Sequence, residues 1–252
     1  MKFTGVEVAR IGLGTNRLTN THTNIAFIKA AIAAGVQVID TAHLYTGGQS
    51  EETIGAALSP IPDNVIVATK GGFNGGSPAV IRSEIDESLR RLRGKSIALY
   101  YLHRVDPNVP IETSLAAIKE YVDRGVIRNV GVSQVTVEQI ERARKVVPIA
   151  AVQHQYSLSE RKHDAEVDYC TREGIPFVPF YPLHGAEGRA LEELARRKGA
   201  STQQVALAWL LKRSPVMLPI PGTLSPAHLE ENLAASKMEL SEADLSTLEQ
   251  RV

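Results

Sequence analysis

The sequence predicts an α/β fold, a single (β/α)8 TIM barrel with a short N-terminal hairpin. Short, β-branched apolar runs alternate along the chain with longer amphipathic stretches that carry the helical period. Eight such strand-then-helix units fit within the 252 residues, a usual size for this barrel. No Pro-, Gly- or Ser-rich linker divides the chain, so we expect one domain over residues 1–252. An open, doubly wound sheet is the alternative.

The elements follow in chain order after an opening turn at Thr4-Gly5. Runs that are too short and too β-branched for helices are interpreted as buried strands, and the periodic stretches between them as helices. The predicted strands cover residues 8–13, 36–39, 65–70, 97–103, 127–132, 150–153, 177–180 and 216–220. The predicted helices cover residues 24–34, 50–58, 78–93, 111–124, 137–145, 162–173, 191–198, 202–212 and 226–235, with a short helical segment within 240–252.

Local signals support several helix boundaries. Glu51 and Glu52 lie in the first turn of the second helix, where the helix dipole favours acidic side chains. Ser77 and Pro78 are an N-cap followed by a first-turn proline. Gly125 follows the fourth helix directly, as is typical of a helix C-terminus.

The first predicted strand ends in Gly12-Leu-Gly-Thr15, which bears on the choice between the two folds. The dinucleotide fingerprint of a doubly wound sheet needs a third glycine after such a pair. Asn16-Arg-Leu18 follows instead. The stretch therefore favours the barrel.

Composition excludes several classes of function. Lys plus Arg and Asp plus Glu both total 28, so no net charge indicates a nucleic-acid or membrane partner. The single cysteine, Cys170, excludes a disulfide within the chain, and the N-terminus lacks the apolar run of a signal peptide. We therefore expect a cytoplasmic protein. No metal site is expected, because no His-x3-His ligand spacing occurs among His43, His154, His163, His184 and His228.

Three consecutive predicted strands end on different ionisable groups. Asp40, Lys70 and His103 close strands two, three and four, and Tyr45 follows Asp40 by five residues. In a parallel barrel all strand C-termini open on one face, where barrel enzymes carry their sites. The four side chains are therefore predicted to meet at one pocket, where a cation such as Lys70 can offset the cost of burying Asp40.

These groups suit proton transfer to a carbonyl oxygen. A phenol with an ordinary pKa of ~10 is a weak acid, but an adjacent lysine ammonium lowers that pKa, and a carboxylate holds the lysine charged. A histidine beside them can donate a hydrogen bond to the substrate oxygen. None of these groups supplies two electrons, so a hydride must come from a cofactor.

At these residues the chain resembles the aldo-keto reductases, (β/α)8 barrels that move a hydride between nicotinamide and a carbonyl. The resemblance implies that Asp40, Tyr45, Lys70 and His103 match the catalytic tetrad, with Tyr45 as proton donor. The short build is most similar to bacterial members, some of which reduce pyridoxal. The matching stretches are Ile11-Gly-Leu-Gly-Thr15, Ile39-Asp-Thr-Ala-His-Leu-Tyr45, Ser50-Glu-Glu-Thr-Ile-Gly55, Thr69-Lys70, Leu102-His103, Val130-Gly-Val-Ser133, Gln153, Pro182-Leu183 and Leu218-Pro-Ile-Pro-Gly-Thr223.

The resemblance also implies a nicotinamide cofactor. Gln134 stands where the family usually has asparagine, and Gly222 and His228 stand where many members hold the extra phosphate of NADP with lysine and arginine. We favour NADP(H), with NAD(H) as the alternative. The implied cofactor-binding residues are Gly14, Thr15, Ser133, Gln134, Gln153, Phe180, Pro182, Leu183, Pro221, Gly222, Thr223, Ser225, His228, Glu231 and Asn232.

The resemblance predicts a monomeric NADP-dependent oxidoreductase that reduces an aldehyde or ketone, with pyridoxal among the candidates. Two rivals stay open: an NADP-binding regulatory protein that retains the fold, and an aldolase that uses Lys70 as a Schiff-base amine. Asp40 argues against the aldolase, because a neighbouring carboxylate raises a lysine pKa. Rim contacts with the substrate are assigned to His22, His43, Tyr101 or Arg104.

Overall fold

The computed structural model of the protein describes residues 1–249. Within this range a hairpin, β1 Lys2–Phe3 and β2 Val6–Glu7, precedes a sheet of seven parallel strands. Each strand of the sheet pairs with the next one along the chain, which is the order a barrel requires. The strands are β3 Leu13–Gly14, β4 Val38–Asp40, β5 Ile66–Gly71, β6 Leu99–Leu102, β7 Val130–Ser133, β8 Ile149–Gln155 and β9 Phe177–Phe180.

Helices follow the strands, and the capping signals in the sequence are realised. Ser77 accepts a hydrogen bond from the Val80 amide and Pro78 opens the helix, while a 3-10 turn, Tyr45–Gly48, precedes the second helix. The predicted segment at 240–252 is helical over Glu242–Glu249, and its remainder lies outside the described residues. The helices are α1 His22–Ala33, α2 Gln49–Leu58, α3 Pro78–Leu92, α4 Ile111–Asp123, α5 Val137–Arg144, α6 Asp164–Glu173, α7 Arg189–Lys198, α8 Thr202–Arg213, α9 Pro226–Ala234 and α10 Glu242–Glu249.

The first strand of the barrel differs from its prediction at 8–13. Val8 belongs to the hairpin, because its amide donates to the Met1 carbonyl at 2.9 Å. The barrel strand is β3. Its Gly14 lies so close to the segment around Ile220 that an added Cβ would sit 2.7 Å from the Ile220 carbonyl oxygen. Only glycine allows this approach.

The predicted eighth strand at 216–220 is an extended segment that closes the barrel. On the β9 side, Phe177 donates to the Val216 carbonyl and Leu218 donates back to Phe177, both at 2.9 Å. This exchange is the ladder expected of parallel strands.

On the β3 side the same segment forms a parallel bridge, Gly14 with Gly222, and accepts two backbone hydrogen bonds at prolines. Gly12 donates to Pro219 at 2.9 Å and Gly14 donates to Pro221 at 3.2 Å. Proline has no N–H, so neither residue can return a bond. The barrel is therefore closed with eight segments, as predicted, but the two prolines leave its last contact with fewer hydrogen bonds than a full parallel ladder.

The barrel interior is filled mostly by small and branched side chains from several of the strands, such as Val38, Ala68 and Leu99. Phe3 and Val8 of the hairpin join this cluster. The polar side chains of the strands are therefore placed at the other, C-terminal end of the barrel, where the loops open. None of the described helices is long and apolar enough to cross a membrane.

Candidate active site

Asp40 and Lys70 form a buried ion pair at the C-terminal ends of β4 and β5. The Lys70 ammonium, fully buried, donates to Asp40 Oδ1 and, at 2.8 Å, to the Thr41 carbonyl. Gln153 Nε2 donates to the second carboxylate oxygen at 2.8 Å. Both oxygens of Asp40 thus have partners, which a buried carboxylate needs.

The ion pair holds Lys70 as an ammonium. Burial lowers the pKa of Lys70, but the interactions of the ammonium with Asp40 and Tyr45 more than offset this effect, and the pKa is raised overall. Burial also raises the pKa of Asp40, against the influence of Lys70 and Gln153. A Schiff-base lysine needs a lowered pKa instead, so this environment opposes that role.

Tyr45 lies beside the ion pair, at the start of the 3-10 turn. Its hydroxyl accepts a hydrogen bond from Lys70 Nζ at 3.2 Å, and the ammonium lies 4.8 Å from the ring centroid. Burial raises the pKa of Tyr45, and the opposing effect of Lys70 is smaller. The expectation of a phenol made more acidic overall is therefore wrong in direction, because burial outweighs the ammonium.

His103 completes the group at the end of β6. Its ring lies edge-on to Tyr45 and Phe73, with centroid distances of 5.9 and 5.0 Å. Burial, followed by the charges of Lys70 and Arg104, lowers the pKa of His103 to about 2. The imidazole is thus neutral at physiological pH and suited to donating a hydrogen bond rather than carrying charge.

A cavity of about 890 Å³ opens above these residues, toward the upper end of volumes usual for ligand pockets. Asp40, Tyr45 and His103 line it, while Lys70 lies beneath them, fully buried. The predicted cofactor residues that line the cavity are Gly14, Thr15, Gln134, Gln153, Phe180, Pro182, Leu183, Pro221, Gly222, Thr223, Ser225 and His228.

Three predicted cofactor residues do not line the cavity. Glu231 and Asn232 lie further along α9, where Asn232 is buried and the Glu231 carbonyl accepts from Gln204. Ser133 ends β7 and is 1% exposed, and among the described residues its hydroxyl has no hydrogen-bond partner. An orphaned buried hydroxyl is costly, and it fits the carboxamide of a nicotinamide ring.

Gln134 holds an unusual backbone conformation next to Ser133. Its φ is +54°, the left-handed region that asparagine tolerates better than most residues. Its backbone N–H donates to the Gln153 carbonyl at 3.0 Å, and its side-chain Nε2 donates to the His103 carbonyl at 3.4 Å. The longer side chain of glutamine is therefore accommodated by its contact with His103, at the end of β6.

The other end of the cavity lies at the N-terminus of α9. Ser225 caps this helix by accepting from the His228 amide at 3.4 Å, and Thr223 accepts from the Ser225 amide at 3.0 Å. The exposed amides of a helix N-terminus attract phosphate. The dinucleotide-sized cavity, the orphaned Ser133 hydroxyl and this helix end together fit a nicotinamide dinucleotide.

Several lining residues escaped the sequence interpretation. Gln155 is detectable in principle, since it lies two residues after Gln153 and so on the same face of β8. Tyr181 follows Phe180, has a φ of +48° and receives a 3.5 Å hydrogen bond from Asn16. The remaining lining residues that were not predicted are Asn16, Arg17, Leu18, Leu44, Phe73, His184, Ile220 and Leu224.

The predicted rim contacts do not line the cavity. Tyr101 belongs to the barrel interior, and Arg104 stacks on Phe73 with its guanidinium carbon 4.1 Å from the ring centroid. His43 is half-buried, with its carbonyl held by a side chain of α3, and His22 opens α1. Among the described residues, no group of three or more His, Cys, Asp and Glu is placed to hold a metal ion.

Comparison with known proteins identifies relatives of the chain. The model of the Aldo/keto reductase family matches residues 10–252. A pyridoxine 4-dehydrogenase of Escherichia coli is 37% identical over 96% of this chain and 94% of its own length.

Solved structures share the fold. A thermostable aldo-keto reductase in complex with the inhibitor epalrestat superposes with a TM-score of 0.92 at 30% identity, covering 99% of this chain and 97% of its own. An aldo/keto reductase from Klebsiella pneumoniae in complex with NADP and acetate gives a TM-score of 0.88 at 28% identity, covering 96% of this chain and 91% of its own.

Proposed function

The chain belongs to the aldo/keto reductase family, and on that premise we propose that it is an NADP(H)-dependent oxidoreductase that reduces aldehydes or ketones to alcohols. The observation that carries the proposal is the contact of Lys70 with both Asp40 and Tyr45 at the base of the cavity. A nicotinamide cofactor, when bound, supplies the hydride. The protein supplies the proton and its control.

In the proposed reaction Tyr45 is the proton donor. Its pKa is raised by burial, so the phenol keeps its proton at neutral pH and can give it to the strongly basic alkoxide oxygen that develops on the substrate. Lys70, 3.2 Å away, stabilises the phenolate that remains. Asp40 keeps Lys70 charged and in place.

His103 is proposed to position the substrate. A neutral imidazole can donate to the carbonyl oxygen without delivering a competing charge, and its ring borders both Tyr45 and the cavity. Phe73 also contacts the His103 ring and lines the cavity, so it is proposed to limit where the carbonyl can lie.

The cofactor is proposed to lie between β7 and α9. Ser133, Gln134 and Gln153 would hold the carboxamide, Phe180 would stack on the ring, and the end of α9 near Ser225 would receive the phosphates. Gln153 also donates to Asp40, so it would link the carboxamide to the ion pair.

NADP is favoured over NAD because the Klebsiella pneumoniae relative is seen with NADP. Initial rates with NADPH and NADH at equal low concentration test this preference. Faster rates with NADH would reverse it.

Pyridoxal is among the candidate substrates, since a pyridoxine 4-dehydrogenase is 37% identical to the chain. We also propose that the protein is a monomer. We propose a cytoplasmic location, because the buried Cys170 is a free thiol and the cytoplasm keeps thiols reduced.

The deciding experiment follows NADPH absorbance with a panel of aldehydes, ketones and pyridoxal. Tyr45→Phe is the matched control, because it deletes only the transferable proton. We expect it to lose turnover by about 100-fold or more while still binding NADPH. Tight NADPH binding without oxidation by any carbonyl would favour the regulatory alternative, and a borohydride-trapped adduct on Lys70 would favour the aldolase.

A further inference from the structure

A buried ion-pair network lies behind the turn that carries Tyr45, and the proposed reaction makes no use of it. Its centre is Arg91, in the last turn of α3. The Arg91 side chain, 14% exposed, pairs with Glu87 at 3.0 Å and with Glu51 at 3.4 Å. Glu51 is fully buried and accepts from the Thr69 hydroxyl at 2.6 Å, next to Lys70. The network thus connects α3, α2 and the catalytic strand β5.

The same guanidinium binds the loop between Asp40 and the Tyr45 turn. Arg91 Nη1 donates to the His43 carbonyl at 2.9 Å and lies 3.3 Å from His43 Nδ1. It also packs directly under Gly48, since a Cβ added there would lie 2.3 Å from the guanidinium carbon. Arg91 therefore contacts the chain on both sides of Tyr45.

The Tyr45 turn has a conformation that needs such support. Thr46, Gly47 and Gly48 have φ values of 50°, 65° and 94°, all in the left-handed region. A non-glycine residue there is strained and persists only when its surroundings hold it. The Thr46 hydroxyl donates to the Leu18 carbonyl at 2.7 Å, and Arg91 packs against Gly48.

We propose that Arg91 is a positioning residue for the Tyr45 phenol. By binding the His43 carbonyl and supporting Gly48, it keeps the Tyr45 hydroxyl within reach of Lys70 and open to the cavity. The inference rests on the proposed role of Tyr45 as proton donor. Glu51 and Glu87 fix the guanidinium and offset its charge, so the network orients the acid without entering the cavity.

The test compares variants that separate the loop contact from the buried pair. Arg91→Met alone leaves the Glu51 carboxylate buried without its cation, which is strongly destabilising. The double variant Arg91→Met/Glu51→Gln removes both charges, and Glu51→Gln alone keeps the Arg91 bond to His43. Arg91→Lys retains a donor and a charge. Arg213→Met is the control for loss of a half-buried arginine elsewhere, since Arg213 pairs with Asp164 and Asp168 at the end of α8.

We expect the folded double variant to lose about 100-fold in kcat, as is usual for a misplaced catalytic group, with the dissociation constant for NADPH unchanged. The alkaline limb of kcat should move to higher pH, because the phenol spends less time beside the Lys70 ammonium. Arg91→Lys should recover part of the rate. Glu51→Gln should lose much less than the double variant, because Arg91 keeps its bonds to the His43 carbonyl and Glu87, and Arg213→Met should keep the parent rate.

Parent values of kcat and of the pH profile in the folded double variant would overturn the positioning role. An equal loss of kcat in Arg213→Met would do the same, because it would assign the effect to general destabilisation. If the parent protein reduces no carbonyl at all, the proposed function fails instead, and the two failures are thereby distinguished.

Discussion

The two sides of the cavity are built differently. On the side of β4 to β6, Asp40, Lys70 and His103 are buried, and the ion pair has every strong partner it needs within the protein. On the side of β7 to α9, the Ser133 hydroxyl lacks a partner among the described residues, and Tyr181 and Leu224 are 55% and 42% exposed. The ion pair on the first side is complete in the free protein, although His103 Nδ1 beside it has no hydrogen-bond partner among the described residues. The second side presents a hydroxyl and exposed apolar surface that a ligand would complete.

We propose that this difference separates the groups that carry out the proposed reaction from the groups that bind the cofactor. A preorganised polar cluster needs no rearrangement when charge develops, which is where most electrostatic catalysis originates. Unpartnered polar groups and exposed apolar surface instead favour a ligand that covers them. We therefore expect substitutions on the two sides to affect different measured quantities.

The largest effect is expected from Lys70→Met on the completed side. Asp40 would be left buried without its cation, so the free energy of unfolding should fall by about 3–5 kcal/mol. Carbonyl reduction should fall about 100- to 10,000-fold, because the phenolate of Tyr45 loses its stabilising charge. Urea unfolding and initial rates measure the two losses.

The double variant Asp40→Asn/Lys70→Met is the control. It removes both charges, so most of the stability should return while the rate stays low. Recovery of the rate as well would mean that the ion pair is only structural.

A smaller effect is expected from Ser133→Ala on the incomplete side. The variant deletes a hydrogen bond that only a cofactor can make, so NADPH affinity should weaken about tenfold, or ~1.4 kcal/mol. Stability should not fall, since the hydroxyl has no partner among the described residues. Fluorescence titration with NADPH and urea unfolding measure these quantities.

Ser114→Ala is its matched control, because this buried serine donates to the Gly76 carbonyl at 2.7 Å. It should lose stability and keep NADPH affinity. The reverse pattern would remove the distinction between the two sides.

The smallest effect on turnover is expected from acidification. Burial, then Lys70 and Arg104, lowers the pKa of His103 to about 2, so the folded protein keeps this imidazole neutral between about pH 7 and 5, where a free histidine titrates. His103 should therefore add no acid limb to kcat. Stability behaves oppositely: below about pH 6.5 the unfolded chain binds a proton that the folded chain does not, so the unfolding free energy falls as the pH falls toward 2.

His103→Gln tests both statements, since glutamine donates a hydrogen bond but does not titrate in this range. Its unfolding free energy should fall less than that of the parent on acidification. An acid limb near pH 6.5 that is present in the parent and absent from the variant would contradict a neutral His103.

Much of this arrangement is predictable from the sequence because parallel strands align their ends. Asp40, Lys70 and His103 each close an apolar run, and geometry alone then brings them together. The direction in which the pKa of Tyr45 shifts is not predictable in this way. Spacing reveals the neighbouring ammonium, but only the packed structure reveals how fully the phenol is buried.

The wrong predictions for Val8 and Tyr101 also concern features that depend on tertiary packing. Val8 has the composition of a barrel strand, but its partner is Met1, a tertiary choice that periodicity does not encode. Tyr101 alternates with Tyr100 along β6, and which of the two faces the barrel interior depends on register. Gln155, by contrast, could have been found from the period of two alone.

Two prolines in the segment that pairs with β3 have a dynamic consequence. Because Pro219 and Pro221 accept hydrogen bonds from β3 but cannot donate any, we expect local opening of the barrel to be easier here than between β5 and β6. The Gly12 and Gly14 amide protons should therefore exchange with deuterium sooner than those of β5 or β6. Gly222 and Thr223 follow directly on this wall. A dinucleotide bound in the cavity would lie beside this part of the barrel and would slow the exchange of these amide protons.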